Sequence, residues 1–321
     1  MLLSVENLAT YFFLDEGVLR AVDDVSFTVD EGETVALVGE SGCGKTIVAL
    51  SLINLVPPPS RIVRGRVVFL DEEVTQASPE RLRQIRGRGI GMIFQEPGAA
   101  LNPVRTVGDQ ISEVLRAHQT PTRHEAWRTA IRLLGDVGIP DPERRAKAYP
   151  FELSGGMRQR AVIAIAMSVG PKLLIADEPT TALDVTVQAE ILDLLRSLQE
   201  RHGMAMLLIT HDLGVVAEMA NRVMVMYTGK IVEVAPADAL FDAPCHPYTK
   251  GLLASIQHLG AGRKEPLKGI PGSVPDFLSL PPGCTFHPRC GLADSSCTAE
   301  FPPLYRVGSE RQCACYKVHP A

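Results

Sequence analysis

The chain has 321 residues, 45% of them hydrophobic and 21% charged, with a formal net charge of −5. That composition is globular and excludes a disordered chain, and the mildly acidic balance gives no footing for nucleic acid as the main partner. No apolar run reaches the roughly 18 residues a bilayer span needs, so any membrane role must come through a partner.

The N-terminal stretch MLLSVENLATYFF carries Glu6 and no basic run. It does not read as a signal peptide, and the protein is expected to stay in the cytoplasm. LLSVENLATYFF and AVDDVSFTV alternate apolar and polar residues, the pattern of half-buried strands. ETVALVGE is a short apolar run feeding a glycine loop, and TIVALSLINLV after it has helical spacing. PPPS at 57–60 closes that helix, because proline lacks a donor and clashes with the preceding turn.

GRVVFL and GIGMIFQ read as further strands. From about 97 to 165 the spacing turns helical, through EVLRAHQ, HEAWRTAIRLLGDVG and the segment after LSGG. KLLIAD and AMLLIT are unbroken apolar runs suited to central parallel strands. VTVQAEILDLLRSLQERHG between them predicts an amphipathic helix ending near Gly203. NRVMVMYTGKIVEVA predicts a β-hairpin turning at Thr228–Gly229. Beyond about 240 proline and glycine dominate and the periodicity fades.

Five segments carry chemistry, among them IFQEP with Gln95. Gly39, Glu40, Ser41, Gly42, Cys43, Gly44, Lys45 and Thr46 spell GESGCGKT between a strand and a helix. This is a phosphate loop whose backbone N–H groups face phosphate oxygens. Lys45 is expected to neutralise the β- and γ-phosphates and the Thr46 hydroxyl to ligate Mg²⁺, while Cys43 is expected to fill a small-residue slot, a redox switch that blocks phosphate binding being the alternative. Asp177 ends the run KLLIA and is placed to hold Mg²⁺; Glu178 beside it is placed to polarise the attacking water. His211 follows the next apolar run and is a candidate contact for the γ-phosphate, though a lone histidine there is more often structural. Ser154, Gly155 and Gly156, in LSGGM, offer a hydroxyl and open amides at a helix start. One chain therefore presents two anion-binding ends, only one of which carries lysine and carboxylates. The economical reading gives the second to a partner's nucleotide, so that ATP is sandwiched between two subunits.

These residues resemble the ATP-binding-cassette ATPases over roughly 1–235. The resemblance implies an α/β P-loop NTPase fold: a RecA-like core, an antiparallel β subdomain, a helical subdomain over about 97–165, and a small cysteine-rich C-terminal extension. It makes 1–240 the ATPase domain and 241–321 the extension. It implies Gly39–Thr46 as Walker A, Leu173–Asp177 as Walker B, Glu178 as catalytic glutamate, Gln95 as the Q-loop residue that also reaches Mg²⁺, His211 as the switch histidine, Leu153–Met157 as the signature and Thr181–Asp184 as the D-loop. Phe12, or its neighbour Tyr11, would be the aromatic platform for adenine.

IFQEPGAALNPVRTVGDQI, LSGGMRQR and HPYTKGLL at 246–253 are similar to the peptide/nickel importer branch. This likeness implies a subunit powering import of di- or oligopeptides, as a cassette dimer (a heterodimer with a second ATPase being the first choice) on two membrane permease subunits. An extracytoplasmic binding protein would supply the substrate, and the chain would sit on the cytoplasmic face of the membrane. Import of nickel or another small solute, and a soluble non-transport role, are the alternatives.

Of the seven cysteines, five lie after residue 283. In a reducing cytosol such clustering favours metal over disulfides. The likeness implies Cys284, Cys290, Cys297 and Cys315 as ligands of a [4Fe–4S] cluster that staples the tail; Cys313 is a second candidate for the fourth ligand. Zinc and unliganded thiols are the alternatives, the spacings missing the C-x₂-C knuckle typical of zinc.

Overall fold

In a computed structural model of the chain, residues 1–181, 183–255 and 269–318 are described. Strands β1 (Leu3–Leu14), β2 (Gly17–Val29) and β3 (Thr34–Val38) precede helix α1 (Lys45–Leu52), β4 (Ser60–Phe69) and β5 (Glu72–Glu73). Next come α2 (Pro79–Gln84), β6 (Ile90–Ile93), α3 (Pro97–Ala100), α4 (Val107–His118), α5 (Arg123–Asp136), α6 (Pro142–Arg145) and α7 (Gly155–Met167). β7 (Leu173–Asp177), α8 (Val185–His202), β8 (Ala205–Thr210), α9 (Leu213–Met219), β9 (Arg222–Tyr227) and β10 (Lys230–Pro236) follow. The C-terminal part adds α10 (Ala237–Asp242), α11 (Pro247–Ala254), α12 (Ser295–Ala299), β11 (Tyr305–Arg306) and β12 (Gln312–Cys313).

The chain divides into two compact units. The first comprises Met1–Leu2, Val29–Glu33 and Gln76–Ile209. Its strands run parallel in the order β8-β7-β6, with Leu173 opposite both Ile90 and Ala205. All five residues of β7 are buried, which is why the run KLLIAD shows no alternation. Helices α3, α4 and α5 pack with α7. Thr122 caps α5 by accepting the Glu125 N–H while the Glu125 carboxylate returns to the Thr122 N–H, a capping box. Asp184 caps α8 through the Val187 N–H, and Gly203 ends that helix in the left-handed region.

The second unit comprises Leu3–Thr28, Thr34–Thr75 and Thr210–Ala321. One sheet has the order β2-β1-β4-β5, with β1 and β4 antiparallel from Leu3↔Phe69 to Phe12↔Ser60. The other strands run β11-β12-β10-β9-β3, with β3 parallel to β9. Thr228 and Gly229, both at positive φ, turn the β9–β10 hairpin where the sequence places it.

The C-terminal region departs from its reading as a periodicity-poor tail. It forms α10 and α11, and its Tyr248, Cys284, Phe286 and Cys297 join a buried cluster with Val223, Val225 and Tyr227 of β9. These helices have only 6 and 8 residues, too short to show a period. No helix among the described residues is long and apolar enough to cross a membrane.

Candidate functional site

The phosphate loop lies in the second unit, where β3 delivers the chain into α1. Gly44 has φ 107, and a Cβ there would stand 2.2 Å from the Ala21 carbonyl oxygen, so the residue must be glycine for two reasons. Lys45 is 5% exposed, and its ammonium donates to the carbonyls of Gly39 at 2.8 Å and Glu40 at 3.1 Å. The lysine is therefore held by the loop it serves. Burial raises the Cys43 thiol above its ordinary value, against the opposing pull of Lys45, so it packs as a neutral group. Ser41, Gly42 and Thr46 are exposed.

On β1 the Thr10 hydroxyl shares a 2.8 Å hydrogen bond with Ser51 of α1. Strand alternation puts Phe12 on the same face as Thr10. Tyr11 points elsewhere, its hydroxyl donating to Asp23 at 2.7 Å. Of the two aromatic candidates, Phe12 is thus the one that shares the face toward the phosphate-loop helix. His211 is exposed directly after β8, and the following Asp212 caps α9 through the Gly214 and Val215 N–H groups.

In the first unit Asp177 closes β7 and is 1% exposed. Glu178 turns the chain at φ 48, a conformation non-glycine residues seldom adopt, and its N–H donates to the Ile209 carbonyl at 2.8 Å. Its carboxylate accepts from Gln95 Nε2 at 3.3 Å and from Thr181 Oγ1 at 2.7 Å. Gln95 and Glu178, 83 residues apart, are thereby brought together. Ser154 caps α7 by accepting the Met157 N–H at 3.3 Å, and Ser154 and Gly155 are exposed at that helix start. Such an end, with open amides and the positive pole of the helix, suits an anion. The D-loop stretch includes Ala182, which lies outside the described residues.

Cys284, Cys290, Cys297 and Cys315 line one pocket in the second unit, together with His246, Phe286 and His287. Cys284 N–H donates to the Cys297 carbonyl at 2.8 Å. The sulfurs of Cys290 and Cys315 accept the N–H groups of Leu292 and Lys317, each at 3.4 Å. Lys317 also pairs with Asp294, joining the segment before Cys297 to the one after Cys315. Burial, with the neighbouring thiols adding to it, pushes Cys284 up to about 11. Cys313 does not line this pocket; it sits in β12 opposite Glu233 and Tyr305. The expectation of a metal centre meets a limit here: among the described residues no three His, Cys, Asp or Glu side chains converge on a point that could hold a metal ion.

Sequence reasoning missed several residues that order the second unit. Glu233 is 1% exposed and accepts the N–H groups of Cys245 and His246, both at 2.8 Å. His246 then caps α11 by accepting the Tyr248 N–H at 3.0 Å. Arg289 forms a two-point ion pair with Glu40 of the phosphate loop, at 2.8 and 3.0 Å. A buried glutamate in a strand was the one local signal available.

A glycine-rich loop between a parallel strand and a helix, with a carboxylate pair ending a second parallel strand, defines a P-loop ATPase. The ABC transporter family model matches residues 22–181, and the model for the C-terminal region of oligopeptide/dipeptide transporters matches 232–297. The chain is 50% identical to the oligopeptide transport ATP-binding protein AppD of Bacillus subtilis, over 98% of this chain and 96% of that one. It is equally similar to a Brucella abortus protein named for peptide import ATP binding, over 98% and 97%. Among solved structures, the dimeric ATP-binding cassette MJ0796 bound to ADP and Pi is 26% identical with a TM-score of 0.66, over 73% of this chain and 98% of that one. CbiO1 of Clostridium perfringens, part of a transporter complex, gives 26% and 0.64 over 75% and 91%. The chain belongs to the ATP-binding proteins of the ABC transporters. It is an ATPase with the cassette fold.

Proposed function

We propose that the chain is the ATP-hydrolysing subunit of an importer for di- or oligopeptides. The observation that carries this reading is the presence, on one chain, of the ATP cassette and of the region characteristic of oligopeptide/dipeptide transporters. Its relatives named for peptide transport match over nearly the whole length.

In this reading ATP is bound with Mg²⁺, Glu178 is the general base, and Gln95 orients it through the 3.3 Å bond between them. The Ser154-capped start of α7 grips the nucleotide of a second cassette, which supports a dimer. Closing and reopening of that dimer drive two permease subunits at the cytoplasmic face of the membrane, with substrate delivered by an extracytoplasmic binding protein. A sister ATPase, rather than a second copy, is the proposed mate. Affinity capture from detergent-solubilised membranes tests the assembly: two hydrophobic permeases and a related cassette are expected. Recovery of ribosomes or DNA in their place would overturn transport.

The four cysteines that line one pocket are further proposed to hold a [4Fe–4S] cluster. What supports it is the donor chemistry alone: four thiols line one pocket and two of the sulfurs accept backbone N–H bonds, which favour thiolate ligands, while the side chains as placed do not converge on one metal position. Bound there, the cluster would staple the segments around Cys290, Cys297 and Cys315. Anaerobically purified protein is expected to be brown; colourless protein with stoichiometric zinc would refute the cluster.

A further inference from the structure

The second residue of the phosphate loop is held from the C-terminal region on several of its polar atoms. The Glu40 N–H donates to the Tyr248 hydroxyl at 2.8 Å. Its carboxylate accepts from Arg289 Nη1 at 2.8 Å and Nη2 at 3.0 Å. Its carbonyl in turn accepts from the Lys45 ammonium at 3.1 Å. A continuous run of polar contacts therefore leads from Arg289 through Glu40 to the lysine that meets phosphate.

Arg289 is fixed before it reaches Glu40. Its side chain is 5% exposed, Nε donates to the Pro271 carbonyl at 2.9 Å, and Nη1 also reaches the Tyr227 hydroxyl at 3.3 Å. The rings of Tyr227 and Phe286 each lie 5.9 Å from its guanidinium carbon. It ends the short 3₁₀ turn His287–Arg289, directly before Cys290, and the Cys290 N–H donates back to His287. A two-point guanidinium–carboxylate pair is strong and directional, and here the arginine is buried while the Glu40 carboxylate stays partly open to solvent, so removing the carboxylate would leave a buried guanidinium unpaired. A fastening for the tail alone could end anywhere on the surface. This one ends on the loop that binds phosphate.

We infer that Arg289 is a positioning residue of the ATP site, and that the C-terminal region sets the geometry of the phosphate loop through it. Arg289 orients Glu40; Glu40 orients the carbonyl that holds Lys45. This rests on the ATP-binding role of the loop.

The test uses the full-length chain and equilibrium binding of a fluorescent ATP analogue, with steady-state ATPase kinetics and thermal unfolding beside it. Arg289→Ala is expected to weaken binding about tenfold, the effect of losing a two-point charge-assisted bond that orients Glu40. KM should rise far more than kcat falls. Arg289→Lys should recover only part of the loss, since an ammonium cannot reproduce the planar fork. Glu40→Gln should weaken binding to a similar degree, and the double variant should be no worse than the poorer single one, the signature of a coupled pair. Should Arg289→Ala fail to fold, Glu40→Gln carries the test alone, because it leaves the arginine and its own anchors in place. Affinities within about twofold of wild type for both single variants, or losses that merely track the folded fraction, would overturn the inference. Lys45→Ala serves as the reference: if it binds nucleotide normally, the ATP-site reading itself fails, a result distinct from failure of the Arg289 role.

Discussion

In its proposed role as general base, Glu178 shows how a single residue is prepared for chemistry. Its backbone is held at φ 48 by the N–H bond to Ile209, a conformation that costs on the order of 1 kcal/mol and persists only where neighbours enforce it. Gln95 and Thr181 then aim its carboxylate. Glu178→Gln keeps the shape but removes the base, so phosphate release should fall by about 10²–10⁴ while nucleotide still binds. Wild-type turnover in that variant would place the base elsewhere. Gly44→Ala meets the opposite problem, a left-handed φ and a carbonyl 2.2 Å from the new Cβ. It should abolish nucleotide binding and cost about 1–3 kcal/mol of stability, readable in a urea titration.

His246 predicts a pH effect of definite sign. Burial lowers it from 6.5 to about 3, with a hydrogen bond to the Ala314 backbone opposing the shift. A second proton would face the Tyr248 N–H, donor against donor. The unfolded chain takes up that proton near 6.5 and the folded chain does not, so stability is full above 6.5 and falls as pH drops toward 3. The slope approaches about 1.4 kcal/mol per pH unit. His246→Asn, which keeps a capping oxygen but cannot titrate there, should show a flatter urea midpoint between pH 6.5 and about 4.5. Equal slopes for the two proteins would refute this.

At the scale of elements, the start of α7 has two duties. Ser154→Ala removes a cap, which costs about 1 kcal/mol of helix stability. It also removes a hydroxyl from the proposed second nucleotide contact. ATPase activity of the assembled dimer should therefore fall while nucleotide binding by the isolated chain holds; a loss confined to isolated-chain binding would speak against the second contact.

The long elements were legible in the sequence because each carries a period or a punctuation mark. α8 shows a helical stripe ended by Gly203, β7 an unbroken apolar run, and the β9–β10 hairpin a Thr-Gly turn. α10 and α11 were not legible, being shorter than two or three turns in proline-rich sequence. At the candidate site, the motif residues could be placed from sequence because each stands at a strand end or helix start, where glycine, serine and acidic residues leave a local signal. The Arg289–Glu40 pair could not, because its members stand 249 residues apart and only the folded unit brings them together. That Phe12 shares the face of Thr10 while the Tyr11 hydroxyl turns to Asp23 likewise needed the folded strand. For the cysteines, sequence supplied four candidates and a spare, and only the packing separates Cys315 in the pocket from Cys313 in β12.

The two anion-binding ends of one chain are unequal. The chain carries one lysine-bearing phosphate loop and one helix start suited to anions but lacking lysine and carboxylates. Two such chains, or this chain and a sister cassette, can each supply what the other's nucleotide lacks. Association should then depend on bound ATP and be transient in the active enzyme, because hydrolysis removes the shared ligand. Glu178→Gln stops that loss. With Mg²⁺ and ATP, the variant alone or mixed with the proposed sister cassette should elute at about double the apparent mass, and ADP should return it to the single-chain position. Adding Ser154→Ala should weaken this association without touching the phosphate loop of the same chain. If the ATP-loaded, hydrolysis-deficient protein remains a single chain in both mixtures, the shared-nucleotide arrangement is wrong, and the coupling of hydrolysis to permease motion loses its physical basis.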